Sequence, residues 1–276
     1  MQEKTFQDLA KEAWQIYTTY FSKFLLLALI LFLPINALYE FAGATDPFQQ
    51  QMIAVEQTVY EDSTGAFDWS AFQKDFSAAM EWTPQNIVSF VASGLLMVAG
   101  LVVSILIALL VKEVKEQHTS VDLRKLIQKS KQFWWPTITT GIIEAFLTGM
   151  LFLLFIIPGV IFSVYWIFAN ILVILKKKKN IGALQYSKQL VKGRWWEVVW
   201  RLGLIALLIM LVTIMIAVPT DSLVTTVPGM ETLVTTITEL VWMYFSVFLV
   251  VYCMDLIHTK ETETDQPASV SESKAN

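Results

Sequence analysis

The same pattern of residue types occurs twice in the chain, in IQKSKQFWWPTI (127–138) and in LVKGRWWEVVWR (190–201). In each, basic residues precede a Trp-Trp pair, and an apolar run long enough to cross a bilayer follows, which takes about 20 residues. Tryptophan and basic side chains are enriched where a membrane helix meets the lipid headgroups. The two stretches therefore predict two helices that enter a membrane from the same side.

The composition extends this prediction to the whole chain. Of 276 residues, 55% are hydrophobic and 16% charged, and the mean hydropathy is +0.54, whereas a soluble domain carries about 25% charged residues. One apolar run could be a buried core helix, but six of them predict an all-α integral membrane protein with six transmembrane helices. The predicted spans are 24–42, 87–111, 137–157, 160–175, 198–219 and 234–257.

The basic residues predict the orientation. Alternating six spans places 1–23, 112–136, 176–197 and 258–276 on one side, here called the basic side. With Arg201 just inside the fifth span, that side has 19 of the 20 Lys and Arg residues, all but Lys74. The positive-inside rule then predicts a multi-pass protein of the bacterial cell membrane with both termini in the cytoplasm.

Helical spacing of apolar residues predicts an interfacial helix before the first, third and fifth spans, at about 4–22, 119–134 and 181–197. Trp135 and Trp196 each lie 23 residues before a proline, Pro158 and Pro219, which we expect to close the outer end of the span. The chain thus reads as three repeats of an interfacial helix plus a transmembrane hairpin.

The first repeat departs from this pattern, because Pro34 falls inside its span and its outer connection is the long segment 43–86. We expect a short helical hairpin in that segment, with Pro84 as the first residue of the second span. The polar residues 258–276 predict a disordered tail. A signal peptide cleaved after "FAGA" (41–44) is the alternative for the start, but a mixed-charge leader of 23 residues disfavours it.

The Trp-Trp pairs are predicted to anchor the helices at headgroup depth. The same residues could instead form a specific site for anionic lipid or for a membrane protein partner. The candidate contacts are Trp134, Trp135, Lys192, Arg194, Trp195 and Trp196. The run KKKK (176–179) is interpreted as a stop signal for the fourth span, with a lipid-binding cluster as the alternative.

Three polar residues lie within predicted spans and form the candidate intramembrane site: Glu144, Asn170 and Glu239. Charge in hydrocarbon is costly, so each acid should face the bundle interior, either paired or protonated. Packing through a hydrogen bond and a proton- or substrate-coupled role are both open. Glu197 and Arg201, four residues apart, are interpreted as a pair on the helix surface.

No Walker A, G-x-S-x-G or H-E-x-x-H pattern occurs. The two histidines, His118 and His258, both lie at span ends on the basic side, so a buried histidine cluster is not expected. The single cysteine, Cys253, excludes an intramolecular disulfide. The sequence therefore predicts no enzyme, no cofactor, no metal and no nucleic-acid partner.

The stretches IIPGVIFSVYWIFANILVIL (156–175) and ALQYSKQLVKGRWW (183–196) resemble a bacterial membrane family that includes the YciC-type proteins. That family also includes the membrane domain of some glycerophosphoryl diester phosphodiesterases. The resemblance is clearest over 120–220 and implies a six-span membrane domain without catalysis. Where the family often has an acidic, glycine-containing loop after the fourth span, this chain has KKKKNIG (176–182). We expect no phosphodiesterase catalytic domain after residue 257, because the 19 residues 258–276 are polar.

Two functions of different class follow from these residues. The favoured one is a non-enzymatic membrane module that binds lipid headgroups or a membrane partner. The alternative is a small-molecule or proton-coupled transporter that uses Glu144 and Asn170 inside the bundle. An integral membrane enzyme is less favoured.

Overall fold

A computed structural model describes residues 4–41, 70, 73, 84–117, 121–224 and 226–265. These residues form helices and no strands. We number the α-helices α1 Phe6–Thr19, α2 Phe21–Leu27, α3 Leu33–Phe41, α4 Pro84–Gln117, α5 Leu123–Leu154, α6 Ile156–Trp166, α7 Ala169–Leu175, α8 Asn180–Val191, α9 Trp195–Val224 and α10 Met230–Asp265. A π-helical segment, Ala28–Phe32, connects α2 to α3.

The prediction of an all-helical membrane protein with six spans is confirmed. Six helical stretches are long and apolar enough to cross a bilayer: Phe21–Glu40, Ile87–Glu116, Leu123–Leu154, Ile156–Leu175, Trp195–Thr220 and Met230–Thr262. Large apolar side chains on them are exposed, for example Leu153 at 86% and Met97 at 80%. Apolar surface on this scale is suited to lipid rather than water. The three-repeat layout stays a prediction.

The chain forms two compact units. The first comprises Met1–Phe24, Val102–Thr213 and Val241–Asn276, and the second comprises Leu25–Leu101 and Ile214–Leu240. In the first unit the core is made by the basic-side halves of α4 and α10, together with α1, α7 and α8. Leu9, Ile105, Leu172, Leu184 and Val251 are almost fully buried there.

In the second unit, Glu40 at the end of α3 binds the start of α10. Its carboxylate accepts hydrogen bonds from the backbone N–H groups of Gly229 at 2.5 Å and Thr232 at 2.9 Å, and from the Thr232 hydroxyl at 2.5 Å. One turn below, the buried Asn36 amide donates to Thr236 Oγ1 at 3.2 Å. A carboxylate stabilises a helix N-terminus because its N–H groups have no partner within the helix.

The π-helical segment explains how Pro34 fits inside the first span. Proline lacks an N–H and clashes with the carbonyl four residues earlier. The helix widens just before it, and Leu33 N–H donates to the carbonyl of Ala28, five residues back. A π-bulge absorbs the extra residue without ending the span.

The second predicted interfacial helix (119–134) and the third predicted span (137–157) belong to one continuous helix, α5, from Leu123 to Leu154. The helix begins at Asp122, whose carboxylate accepts from Arg124 N–H at 2.9 Å. Pro136 lies inside it, and Thr140 Oγ1 donates to the Pro136 carbonyl at 2.7 Å. Membrane helices tolerate proline where nearby hydroxyls rearrange the backbone hydrogen bonds.

The two prolines do not close the outer ends as predicted. The connection after α5 is the single extended residue Phe155, and Pro158 lies in the first turn of α6, where a missing N–H costs nothing. Pro219 lies inside α9. The fourth span is broken at Ile167 and Phe168, although that stretch contains neither glycine nor proline.

The third predicted interfacial helix, 181–197, is shorter than expected. Helix α8 ends at Val191, and α9 begins at Trp195, so the Trp-Trp pair starts the fifth span instead of ending the surface helix. Gly193 makes the turn between them with a φ of +92°, a conformation that glycine adopts without strain.

The predicted outer hairpin (43–86) lies almost wholly outside the described residues, although Pro84 is the first residue of α4, as expected. At the other end, α10 continues to Asp265, so 258–265 are helical instead of belonging to the tail. The rest of the predicted tail, and the position of His118, also lie outside the described residues.

Candidate functional site

Glu144 and Asn170, two of the predicted intramembrane polar residues, form a hydrogen-bonded pair in the first unit. The Asn170 amide on α7 donates from Nδ2 to Glu144 Oε2 on α5 at 3.0 Å. Gly141, one turn before Glu144, faces the Asn170 side chain, and a Cβ there would be in ordinary van der Waals contact, 3.7 Å from both amide atoms. Both residues are half-buried. A carboxyl group is costly to bury in a membrane, and the Asn170 amide gives that of Glu144 one hydrogen-bond partner.

One polar atom of this pair lacks a protein partner. Asn170 Oδ1 is buried, and no described residue hydrogen-bonds to it. On α5, Thr137 and Thr148 lie on the same helical face as Glu144, and their buried hydroxyls accept or donate no side-chain or backbone bond within the described chain. These atoms form a polar line along one face of α5.

The break beside Asn170 is held by the surface helix α8. The hydroxyl of Ser187, which is fully buried, accepts from Phe168 N–H at 3.3 Å and donates to the Tyr165 carbonyl at 2.7 Å. These are the two backbone groups that lose a helical partner where α6 stops and α7 starts. The serine of the stretch ALQYSKQLVKG thus has a structural role.

The start of α8 is bound to α5 by two threonines. Asn180 N–H donates to Thr140 Oγ1 at 2.9 Å, and Thr139 Oγ1 donates to Asn180 Oδ1 at 2.9 Å. Asn180 has a φ of +50°, which asparagine tolerates better than most residues. Thr140 and Asn180 thus connect α5 to α8, and Glu144 and Asn170 connect α5 to α7.

Glu239, the third predicted polar residue, belongs to the second unit. It lies on α10 and is half-buried. Glu144 and Asn170 are the two predicted residues that the structure brings together within the first unit.

The two tryptophan pairs behave alike. In each pair the first indole makes a hydrogen bond within the unit: Trp134 Nε1 to Ser130 Oγ at 3.4 Å, and Trp195 Nε1 to the Ile161 carbonyl at 3.3 Å. The second indole is exposed, at 75% for Trp135 and 77% for Trp196. Each pair thus presents one fixed and one outward-facing ring.

The residues around Trp196 differ in exposure. Trp200, one turn further along α9, is 69% exposed and was not among the predicted contacts. Lys192 is exposed, whereas Arg194 is partly buried, with no solvent contact at Nη1. A lipid-binding role of Lys192 and Arg194 stays a prediction.

The predicted pair of Glu197 and Arg201 forms, although it is not a surface pair. The Arg201 side chain is only 11% exposed and is bonded to the Glu197 carboxylate. Its guanidinium also lies over the ring of Tyr252 on α10, 5.2 Å from the centroid. Because Arg201 and Tyr252 are both largely buried, this cation–π contact lies within the core of the first unit.

Helix α1 is fixed to the first unit by Glu12. Its two carboxylate oxygens bind Lys115 at 2.8 Å and Lys4 at 2.6 Å. Burial acts to raise the pKa of Glu12, but the hydrogen bonds and charges of the two lysines outweigh it and leave the pKa below its ordinary value. Tyr244 Oη on α10 also donates to the Ala10 carbonyl at 3.3 Å.

Three cavities lined entirely by described residues are found on the basic side, with volumes of about 240, 420 and 430 Å³. The largest is lined by the turn Gly193–Arg194 and the start of α9, and the next by α1. The smallest lies between α4, α7 and α10. None of the three is lined by Glu144 or Asn170.

Within the described chain, no group of three or more His, Cys, Asp or Glu side chains is arranged to hold a metal ion. Comparison with models of known protein families, with curated proteins and with solved structures finds no match to this chain.

Proposed function

We propose that this six-span membrane protein is a non-enzymatic module of the bacterial cell membrane that binds anionic lipid headgroups through its basic side. The observation that carries the proposal is the paired arrangement of tryptophans. In both pairs one indole is fixed by a hydrogen bond, and its neighbour is at least 75% exposed. An outward ring at the end of a membrane span has the headgroup region as its natural environment.

The charge distribution supports the same proposal. Lys192 is exposed beside the turn that precedes Trp195, and exposed lysines also precede Trp134 on α5. Each basic residue near an anionic membrane surface contributes about 1 kcal/mol to its attraction. With the basic side facing the cytoplasm, as the positive-inside rule predicts, these residues meet the anionic inner leaflet. The resemblance to the YciC-type family, which implies a membrane domain without catalysis, agrees with this function.

The test is the retention of lipid by the purified protein. Protein reconstituted with a mixture of phosphatidylglycerol and phosphatidylcholine is extracted in mild detergent, and the bound lipids are counted by native mass spectrometry. The double variant Lys192→Gln with Trp196→Ala should retain phosphatidylglycerol about fivefold less strongly. Trp242→Ala, which removes an exposed tryptophan outside both pairs, is the control. Equal retention by all three proteins would refute the proposal.

A transporter is the second candidate, and one observation favours it: the buried, unpartnered Oδ1 of Asn170 beside Glu144. An unsatisfied carbonyl next to a carboxyl group inside a membrane is suited to a proton or a small cation. We place it second because the Glu144 carboxyl group already has a protein partner in Asn170. Proteoliposomes that release protons or substrate only with Glu144 intact would reverse this order.

A further inference from the structure

The smallest of the three cavities lies on the basic side of the first unit, where α4, the end of α7 and α10 come together. Its volume is about 240 Å³, which is below the range of about 300–1,000 Å³ that holds drug-sized ligands. The apolar part of its lining consists of Leu175, Met254 and Ile257, all less than 9% exposed. A space of this size, with a buried apolar wall, fits a molecule no larger than a lipid headgroup.

Charged side chains of both signs complete the lining. Lys112 on α4 donates to the carbonyl of Leu175 at 3.1 Å and lies 4.0 Å from Glu116. Lys176, just after α7, binds Glu261 on α10 at 2.5 Å. An ammonium group can donate three hydrogen bonds, so each lysine keeps donors for a ligand after these contacts. The lysine side chains are only 22% and 32% exposed, so their positions are restricted.

The balance of charge selects the kind of ligand. Two lysines and two glutamates line one small space, and His258 lies beside them. A simple anion there is repelled by two carboxylates as well as attracted by two ammonium groups. A molecule that carries both a phosphate and an ammonium group, a few bonds apart, can pair each of its charges with an opposite one. Complementary charge of this kind determines specificity more than affinity.

We propose that this cavity binds a zwitterionic phosphate compound of the phosphoethanolamine class, with the phosphate toward Lys112 and Lys176 and the ammonium group toward Glu116 and Glu261. The short carbon chain between the two charges contacts Met254 and Ile257. The ligand is either the free headgroup or the same group on a phospholipid. The site shares no residue with the two tryptophan pairs, so it does not depend on the proposed function.

The test uses the full chain purified in dodecyl maltoside and measures the thermal shift and the dissociation constant. The probes are free phosphoethanolamine, dihexanoyl phosphatidylethanolamine, inorganic phosphate and ethanolamine. We expect one of the first two to bind, and the tighter of them identifies the source as soluble or lipid. Inorganic phosphate binding as tightly as both would overturn the zwitterionic site, and so would binding of none of the four.

Two variants test the assignment of the charges. Lys112→Gln should weaken binding of the better ligand by at least about tenfold, since one charge pair is lost. Glu116→Gln, at a side chain that is 54% exposed and tolerant of change, should reduce the preference for that ligand over inorganic phosphate. Lys125→Gln is the control with the same change in charge. Unaltered binding and preference in both cavity variants would refute the proposal, whereas loss of lipid retention by the Trp196 variant alone would leave it intact.

Discussion

Ser187→Ala tests whether the surface helix α8 holds the broken fourth span together. The substitution removes one hydroxyl, which is fully buried and makes two hydrogen bonds to backbone groups of the break. The net contribution of one hydrogen bond to the free energy of unfolding is about 1 kcal/mol, and a buried polar group left without a partner costs about 1–3 kcal/mol. Both Phe168 N–H and the Tyr165 carbonyl lose their partner, so we expect a loss of roughly 2–4 kcal/mol in the free energy of unfolding.

The measurement is unfolding by sodium dodecyl sulfate in dodecyl maltoside micelles, with hydrogen exchange at Phe168 as a local readout. Ser163→Ala is a matched control, because Ser163 Oγ donates only to the Val160 carbonyl within its own helix, at 2.8 Å. That bond duplicates a helical one, so its loss should change stability by less than about 0.5 kcal/mol. If the two variants are equally stable, and exchange at Phe168 is unchanged, Ser187 does not support the break and our reasoning is wrong.

Three further predictions follow from the topology and from the two carboxylates. In a Cys253→Ser background, Thr226→Cys should react with a membrane-impermeant thiol reagent on intact cells, whereas Gln128→Cys should not. Both positions are exposed, and the predicted topology places them on opposite sides of the membrane. Labelling of Gln128→Cys from outside would exclude the proposed orientation. Glu144→Gln should fold as stably as the wild type within about 1 kcal/mol, because the amide can still accept from its partner, and a large loss of stability in the unfolding assay would show that the carboxylate itself is required. The pKa of Glu12 is lowered in the folded state. Its stabilising contribution is therefore complete above the unfolded pKa of about 4.3 and disappears as the pH falls through the folded pKa. Glu12→Gln should remove part of the acid sensitivity of unfolding, and a pH profile identical to that of the wild type would contradict this.

The six spans could be predicted from the sequence because their signal is local. An apolar run of sufficient length, bounded by basic residues or by a Trp-Trp pair, needs no information from elsewhere in the chain. The same local rule misplaced the turns. Pro158 and Pro219 were expected to end spans, but both lie within helices, since proline is acceptable in a first turn and in membrane helices whose backbone groups find other partners.

The break in the fourth span could not be predicted, because the hydroxyl that bonds to its backbone groups lies 19 residues away in the chain. Nothing in the residues around Phe168 indicates an interruption, and the stabilising hydroxyl comes from Ser187 on another helix. The cap that Glu40 provides for α10 is similar, since it joins residues 192 apart in sequence. In the sequence, Ser187 is a polar residue on the apolar face of an amphipathic helix. That position indicates a buried hydrogen-bond partner but does not identify the partner.

The candidate site was predicted in part by the cost of burying charge. That cost requires Glu144 to have a partner, and Asn170 is the partner that the structure supplies. The sequence could not pair them, since nothing in the apolar run between them fixes how α5 and α7 face each other.

The three predicted interfacial helices are all bonded to, or continuous with, other helices of the first unit. Helix α1 is bound through Glu12 to Lys115, and the second predicted helix is continuous with its span. Helix α8 is bound at its start by Thr140 and at its middle by Ser187. Lifting α8 away would break at least these two hydrogen bonds and expose a fully buried face, which includes Ala183 and Leu184.

That geometry determines what a lipid bound at the exposed tryptophans can do. Trp195, next to the exposed Trp196, is bonded to the carbonyl of Ile161 on α6, and α6 leads directly to the break that Ser187 supports. The ring of Trp196 packs edge-on against that of Trp195, with 4.7 Å between the ring centroids, so the outward ring contacts a side chain that is bonded to α6. Each basic contact with anionic lipid contributes about 1 kcal/mol, and each of these hydrogen bonds contributes a similar amount. Lipid binding would therefore stabilise the packing of α6, α8 and α9 without disrupting it. The proposed headgroup binding thus acts as a stabiliser of the first unit.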